Sequence, residues 1–344
     1  MMWMRVVAIL LLCFSVGRSQ AGDAVKEKAN LSKQVGQWVA ARDFERLSRQ
    51  SDSDLKTQAR FSDGLWRLSG LHANFEKHLA QTTRTPEAWK PVLAELRRRA
   101  QRKPMDWFFY QDALYALAWQ IRGPGFASTV SPVDMERFKE LLRQGRDVLD
   151  ENKAALIGNP LWYSRRVTLA LELSEAKADQ EALFNEGIQR HPRYHPLYFA
   201  RLRALSPKWG GSLATTHAFV QQLATLKGEA ADEGLLARAI WVAEDELFGH
   251  ELMRSEAVRQ SMEVLLNRYP DPWNVQAMFL LACTGSQKVM AVKLLPKLPA
   301  DYLSDLGVSD PRAYDLCRQW ADGTQGPFIM RRVIDGKVRR AYVD

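Results

Sequence analysis

Helical spacing of apolar residues, repeated along most of the chain and punctuated by capped prolines, is what most limits the fold. In 86–102, Trp89, Val92, Leu93, Leu96 and Ala100 fall at i, i+3, i+4, i+7 and i+11. In 255–269, Val258, Met262, Leu265, Leu266 and Tyr269 fall at i, i+4, i+7, i+8 and i+11. Each set marks one apolar stripe along a helix. Fainter versions run through 24–50, 64–81, 106–121, 132–150, 161–175, 179–190, 196–205, 212–227, 231–249, 272–284, 286–295 and 310–321. Thr85-Pro86, Ser131-Pro132, Asn159-Pro160, Asp271-Pro272 and Asp310-Pro311 each set a capping side chain before a proline. The cap satisfies an orphan amide, and the proline takes the first helical position, where its missing N–H costs nothing. Asp134, three residues after Ser131, completes the outline of a capping box.

Two junctions are alike: Arg190-His191-Pro192 leads to Pro196, and Arg268-Tyr269-Pro270 leads to Pro272. Each ends one helix and starts another within a few residues, which makes antiparallel neighbours. Many short helices joined in this way predict an all-α fold: an irregular, tetratricopeptide-like α-solenoid of helical hairpins. The tail differs. Asp335-Gly336 between two apolar-rich runs predicts a small β-hairpin, about 328–334 and 337–343. That register sets Arg332 opposite Arg339 and Arg331 opposite Arg340. Directly opposed like charges are unfavourable. The hairpin is therefore expected to pack on the helical body, with its arginines answered by acids or by a ligand.

The first 21 residues read as a signal peptide. Arg5 supplies a basic start, Val6 to Val16 an apolar run, and Ser19 and Ala21 a small-residue cleavage site. Export to the periplasm or exterior follows. The remaining organisation is a helical domain over 22–250, further hairpins continuous with it over 251–322, and a basic hairpin tail over 323–344. Hydrophobic residues at 46% and charged residues at 26% fit a packed chain and exclude a disordered one. Loss of Arg5 and Arg18 lowers the formal charge from +8 to +6, spread along the chain, which argues against nucleic acid as partner. No later segment is apolar enough to span a bilayer. Cys283 and Cys317 are the cysteines left after cleavage. They are either a disulfide or two buried thiols.

Three phrases resemble a family. They are Phe61 to Leu68 (FSDGLWRL), Trp119 to Ala127 (WQIRGPGFA) and Ser206 to Ser212 (SPKWGGS). In this order they resemble an uncharacterised family of exported bacterial proteins, a domain of unknown function with a proline-x-tryptophan-glycine-glycine-serine signature. The resemblance implies a tetratricopeptide-like helical fold and brings no activity. Physically, Trp209 reads as a buried anchor at a corner and Ser212 as a helix cap. Gly210 and Gly211 form a tight joint, or expose amides as an anion site. Arg122 bonds the end of its helix, an acid such as Asp63, or a ligand anion. Candidate binding residues are thus Asp63, Trp66, Arg122, Trp209, Gly210, Gly211, Arg331, Arg332, Arg339 and Arg340.

Catalytic and metal signatures do not assemble. His191 and His195 have helical metal-pair spacing, but Pro192 and Pro196 break the shared helix. Glu246 with His250, and His72 with Glu76, read as i, i+4 ion pairs or caps. Glu244-Asp245-Glu246 and Arg97-Arg98-Arg99 read as solvated faces. Phosphate-loop, nucleophile-elbow and Cys-x-x-Cys motifs do not occur. No cofactor is called for. The first reading is a non-catalytic scaffold binding a peptide, protein or envelope polymer on its repeat surface. The second is an envelope-acting hydrolase with sequence-distant carboxylates.

Overall fold

A computed structural model describes residues 23–299, 311–334 and 336–344. The stretch 1–21 expected to be a signal peptide, the expected cap residue Asp310 and Asp335 of the expected hairpin turn lie outside them. The described chain is all-α with one terminal hairpin, as the periodicity predicts. The first five helices are α1 (Ala24–Ala40), α2 (Phe44–Thr57), α3 (Arg67–Thr82), α4 (Pro86–Arg102) and α5 (Trp107–Arg122). Next come α6 (Pro132–Glu151), the short α7 (Lys153–Leu156), α8 (Leu161–Glu172), α9 (Lys177–Arg190) and α10 (His195–Leu205). Then follow α11 (Leu213–Ala224), α12 (Leu235–Val242), α13 (Glu244–Leu247), α14 (Glu256–Arg268), α15 (Pro272–Thr284), α16 (Lys288–Leu294) and α17 (Pro311–Asp322). Strands β1 (Phe328–Ile334) and β2 (Lys337–Val343) close the chain.

The caps operate as their chemistry requires. Thr85 accepts from the Ala88 amide at 3.3 Å, Ser131 from Asp134 at 3.1 Å, and Asp271 from Trp273 at 2.9 Å. Two spans that read as single helices are split. The stretch 24–50 breaks at Arg42, whose φ of 53° is left-handed, and Asp43 then caps α2. The stretch 231–249 divides at Ala243 into α12 and α13, and α12 itself starts only after Gly234, at φ +70°. A Cβ at Gly234 would run into Leu265 of α14, so glycine permits that close approach.

Two buried clusters form the core. One gathers Leu31, Val35, Leu47, Phe75, Trp89, Leu96 and Phe109 from α1 to α5. The other runs from Trp66 and Phe108 through Trp162, Tyr198 and Phe279 to Trp320 and Val343. Helix α15 is buried on every side from Asn274 to Thr284. A helix apolar all round belongs at a centre; α14, α16, α17 and β2 pack against it.

The hairpin adopts the predicted register: Ile329 opposite Tyr342, Arg331 opposite Arg340, Arg332 opposite Arg339 and Val333 opposite Val338. Met330, Ile334, Ala341 and Val343 face the helices and are buried.

Cys283 of α15 and Cys317 of α17 are joined as a disulfide, with Cα atoms 5.8 Å apart. The alternative of two free thiols falls away. The bond closes a loop across a sequence separation of 34 residues. Loop closure of that length gives about 4 kcal/mol on the chain-entropy model. Cys317→Ser should lower the unfolding free energy by about that amount in urea titration. Equal midpoints for oxidised and reduced wild type would show that the bond contributes nothing.

Candidate functional site

A groove of about 550 Å³ runs between α3 and α5. Ala73, Glu76, Lys77 and Ala80 recur at i, i+3, i+4 and i+7 and so share one face of α3. Helix α5 supplies Tyr115 and Trp119, the following loop supplies Gly123 and Pro124, and α10 supplies Arg203. Small alanines make the floor, aromatic rings the walls, and the exposed Lys77 one rim.

Behind the groove lies a chain of buried and half-buried polar groups. Arg165 of α8 reaches Glu76 at 2.7 Å and Asp112 of α5 at 2.8 Å. The second Asp112 oxygen lies 2.6 Å from His72 Nδ1, and His72 Nε2 lies 3.0 Å from Ser51 Oγ. An imidazole that donates to the carboxylate from Nδ1 accepts the serine proton at Nε2. Beside it, Glu172 accepts from Tyr115 and from Arg203, each at 2.8 Å. His72 and Glu76 therefore do not form the i, i+4 pair the sequence suggests; each turns inward to a different helix.

Burial pushes the Glu76 carboxyl up to about 8, against the pull of Arg165 and with Asp112 adding to the rise. Burial also raises Glu172, although Arg203 opposes it. For Glu76 the direction is that of a carboxyl which keeps its proton to higher pH than in the unfolded chain, and its side chain borders the groove. Serine, histidine and aspartate in this order resemble a nucleophilic relay. Yet Ser51 is buried within α2, where its amide belongs to the helix, and it does not line the groove. Asp112 and His72 are fully buried. The relay has the bonds of a nucleophile without access for an acyl group.

The loop after α5 borders the groove. Arg122 donates to the carbonyls of Gly123 at 3.0 Å and Gly125 at 3.1 Å, and its guanidinium lies 4.8 Å from the Trp119 ring. It ties its own loop and has no bond to Asp63. The tied loop holds Phe126 out, 82% exposed. The Pro-x-Trp-Gly-Gly-Ser corner meets the same groove from behind, because Arg203 stacks over the Trp209 ring at 3.9 Å.

That corner corrects two expectations. Trp209 is half-buried, so it is not a core anchor. The Gly210 amide bonds Pro207 and the Gly211 amide bonds Ser206, so neither is offered to an anion. Gly211 is there because a Cβ would overlap the Leu205 carbonyl. Ser212 does cap α11, in a capping box with Thr215.

Asp63 and Trp66 lie elsewhere; Trp66, with Arg190 and Arg193, helps to line a second cavity of about 370 Å³, which Asp63 does not reach. Asp63 is buried, pairs with Lys28 and accepts the Leu65 amide at 2.9 Å. Trp66 donates to the Arg193 carbonyl at 2.9 Å and stacks under Arg60 at 3.8 Å. Buried Glu233 draws in Arg60 at 3.1 Å, Arg193 and Arg268, with His195 Nε2 at 3.4 Å. Burial and the surrounding arginines hold His195 well below its ordinary value. His191 instead faces the Ile157 carbonyl, so the two histidines do not converge.

The hairpin arginines divide by face. Arg332 reaches Glu244 at 2.9 Å and Asp245 at 3.0 Å, and Arg339 donates to the carbonyls of Asp245 and Glu246. The acidic run is thus a dock for the tail. His250 does not pair with Glu246; it accepts the Leu252 amide and lies tilted against His217, ring centroids 4.1 Å apart. Arg331 and Arg340 point outward and are exposed.

Sequence reasoning passed over Asp112, Arg165, Glu172, Arg203 and Glu233. The one available signal was the His72–Glu76 spacing, which marked a polar stripe on α3.

Two outcomes follow. The folded chain keeps a proton on Glu76 that the unfolded chain, with an ordinary value of 4.5, releases. Stability should therefore fall as pH rises between those values, by at most about 1.4 kcal/mol per pH unit. Glu76→Gln should flatten that slope in urea titrations; an unchanged slope would place the proton elsewhere. Trp209→Ala should cost about 1–2 kcal/mol, below the about 3–5 of a fully buried tryptophan, read as a shift of the urea midpoint.

No protein-family model, curated protein or solved structure matches the chain.

Proposed function

We propose that this is a non-catalytic interaction protein of the bacterial periplasm or cell exterior that holds a partner segment in the α3–α5 groove. The occupant would be a peptide, a protein segment or an envelope polymer. The observation that carries the reading is the groove itself: an apolar floor and aromatic walls, with the carboxyl of Glu76 and the exposed ammonium of Lys77 at its edge. Such a mixture suits an extended segment with apolar side chains and hydrogen-bond acceptors. Exposed Phe126 at the lip adds apolar contact area. The disulfide supports an oxidising compartment. Among the described residues no helix is long and apolar enough to cross a membrane.

The alternative, a hydrolase acting on an envelope glycan or peptide, draws on the two raised carboxyls. Burial raises the Glu76 carboxyl, the direction a general acid needs. Glu172, however, is buried and committed to Tyr115 and Arg203, so it offers no base to a substrate.

Ala73 is exposed on the groove floor, so Ala73→Trp should fill the groove while leaving the melting temperature within a few degrees. Crosslinking from envelope extracts should recover a partner with wild type and lose it with Ala73→Trp. Equal recovery by both would remove the groove from the function. Turnover of envelope glycans or peptides that Glu76→Gln abolishes would favour the hydrolase instead.

A further inference from the structure

The outward face of the C-terminal hairpin is exposed and regularly patterned. Three cross-strand pairs make it up: Ile329 with Tyr342, Arg331 with Arg340, and Val333 with Val338. Ile329 is 44% exposed, Tyr342 57%, Val333 70% and Val338 61%, and both arginines are exposed. Directly opposed like charges weaken a strand pair. On the inner face the same problem is solved, because Glu244, Asp245 and backbone carbonyls answer Arg332 and Arg339. On the outer face it is not: among the described residues neither Arg331 nor Arg340 has an ion-pair or hydrogen-bond partner. A row of unanswered positive charge sits between two exposed apolar rows.

We propose that this face docks an extended acidic segment of a partner protein, with an apolar-x-acid-x-apolar pattern. Same-face residues of a strand repeat about every 7 Å. A carboxylate seated between the two arginines therefore brings the side chains two positions to either side over the two apolar rows. Charge complementarity selects this occupant. A second copy of the chain would set arginines on arginines. A lipid surface is uniform along this direction and has no use for charge in the middle with apolar rows at both ends.

The probe is a fluorescent nonapeptide with a central glutamate, valines two and four positions to each side, and threonines between. Fluorescence anisotropy with the disulfide-bonded chain should show saturable binding that weakens as salt is raised. Arg331→Ala with Arg340→Ala should weaken it at least about tenfold. Arg340→Glu is the decisive variant. It places a carboxylate opposite Arg331 and relieves the like-charge pair, so the chain should melt no lower than wild type while losing the peptide. Absence of binding by wild type, equal binding by Arg340→Glu, or binding to phosphatidylglycerol vesicles in place of the peptide would overturn the proposal. The groove is untouched by these variants: recovery of the groove partner should be unchanged, so the two readings fail separately.

Discussion

One buried carboxylate gathers positive charge from three other stretches of the chain. Glu233 lies just before α12 and receives Arg60 from the loop after α2, Arg193 from the loop after α9 and Arg268 from the end of α14. Close by, Arg238 and Asn274 both donate to the Asp63 carbonyl. Asp271 accepts the Ala24 amide at 3.0 Å, across 247 residues of sequence. Removing one partner from such a buried set costs several kcal/mol, because the other charges stay desolvated. The physical consequence is topological. In a regular solenoid each repeat touches only its neighbours. Here α1 is bonded to the start of α15 and the loop before α3 to α12, so stability is shared across the chain. Surface that an open array would offer to ligands is partly spent on these ties. That moves the candidate binding surfaces to the α3–α5 groove and the outer hairpin face.

The same economy explains the polar chain behind the groove. A lone buried arginine would be ruinous, and Arg165 is tolerated because Glu76 and Asp112 flank it. Asp112 in turn fixes the His72 ring, which stacks on Phe109 at 4.5 Å. Ser51 then finishes the chain inside α2. Each member needs the next to be satisfied, so a structural demand alone produces the order serine, histidine, aspartate. What distinguishes this chain from a catalytic relay is its exit: it reaches the groove through Glu76, not through Ser51.

The helices and the hairpin were legible in the sequence for local reasons. A cap before a proline acts within three residues, and Asp335-Gly336 fixes register by turn length alone. The missed features are all non-local. Asp112, Glu172 and Glu233 carry no mark that separates a buried acid from a solvated one, because burial depends on which helix arrives opposite. Trp209 shows the reverse error. Its place in a tight corner suggested a core anchor, yet the corner sits at the edge and Arg203 covers the ring. The breaks at Arg42 and Ala243 were hidden because the apolar period continues across them. The acidic run at 244–246 read as solvated because its partner, Arg332, lies about ninety residues on.

How the hairpin is held bears on what it can do. An isolated two-stranded hairpin is marginal in water. This one buries Met330, Ile334, Ala341 and Val343 against the helical body. Its end is bolted down as well. The Tyr342 carbonyl accepts from Arg254 and from Ser286, each at 2.6 Å, and Asp344 pairs with Arg254 at 3.0 Å. Gly249 lets the Arg340 backbone approach the loop after α13. Helices α15 and α17 beneath are joined by the disulfide. A face carried on such a base is ordered before any partner arrives, so little entropy is lost on docking. Rigid support for an exposed, like-charged and otherwise unfavourable face is hard to account for by folding alone, since burial of the inner face requires nothing of the residues that point away.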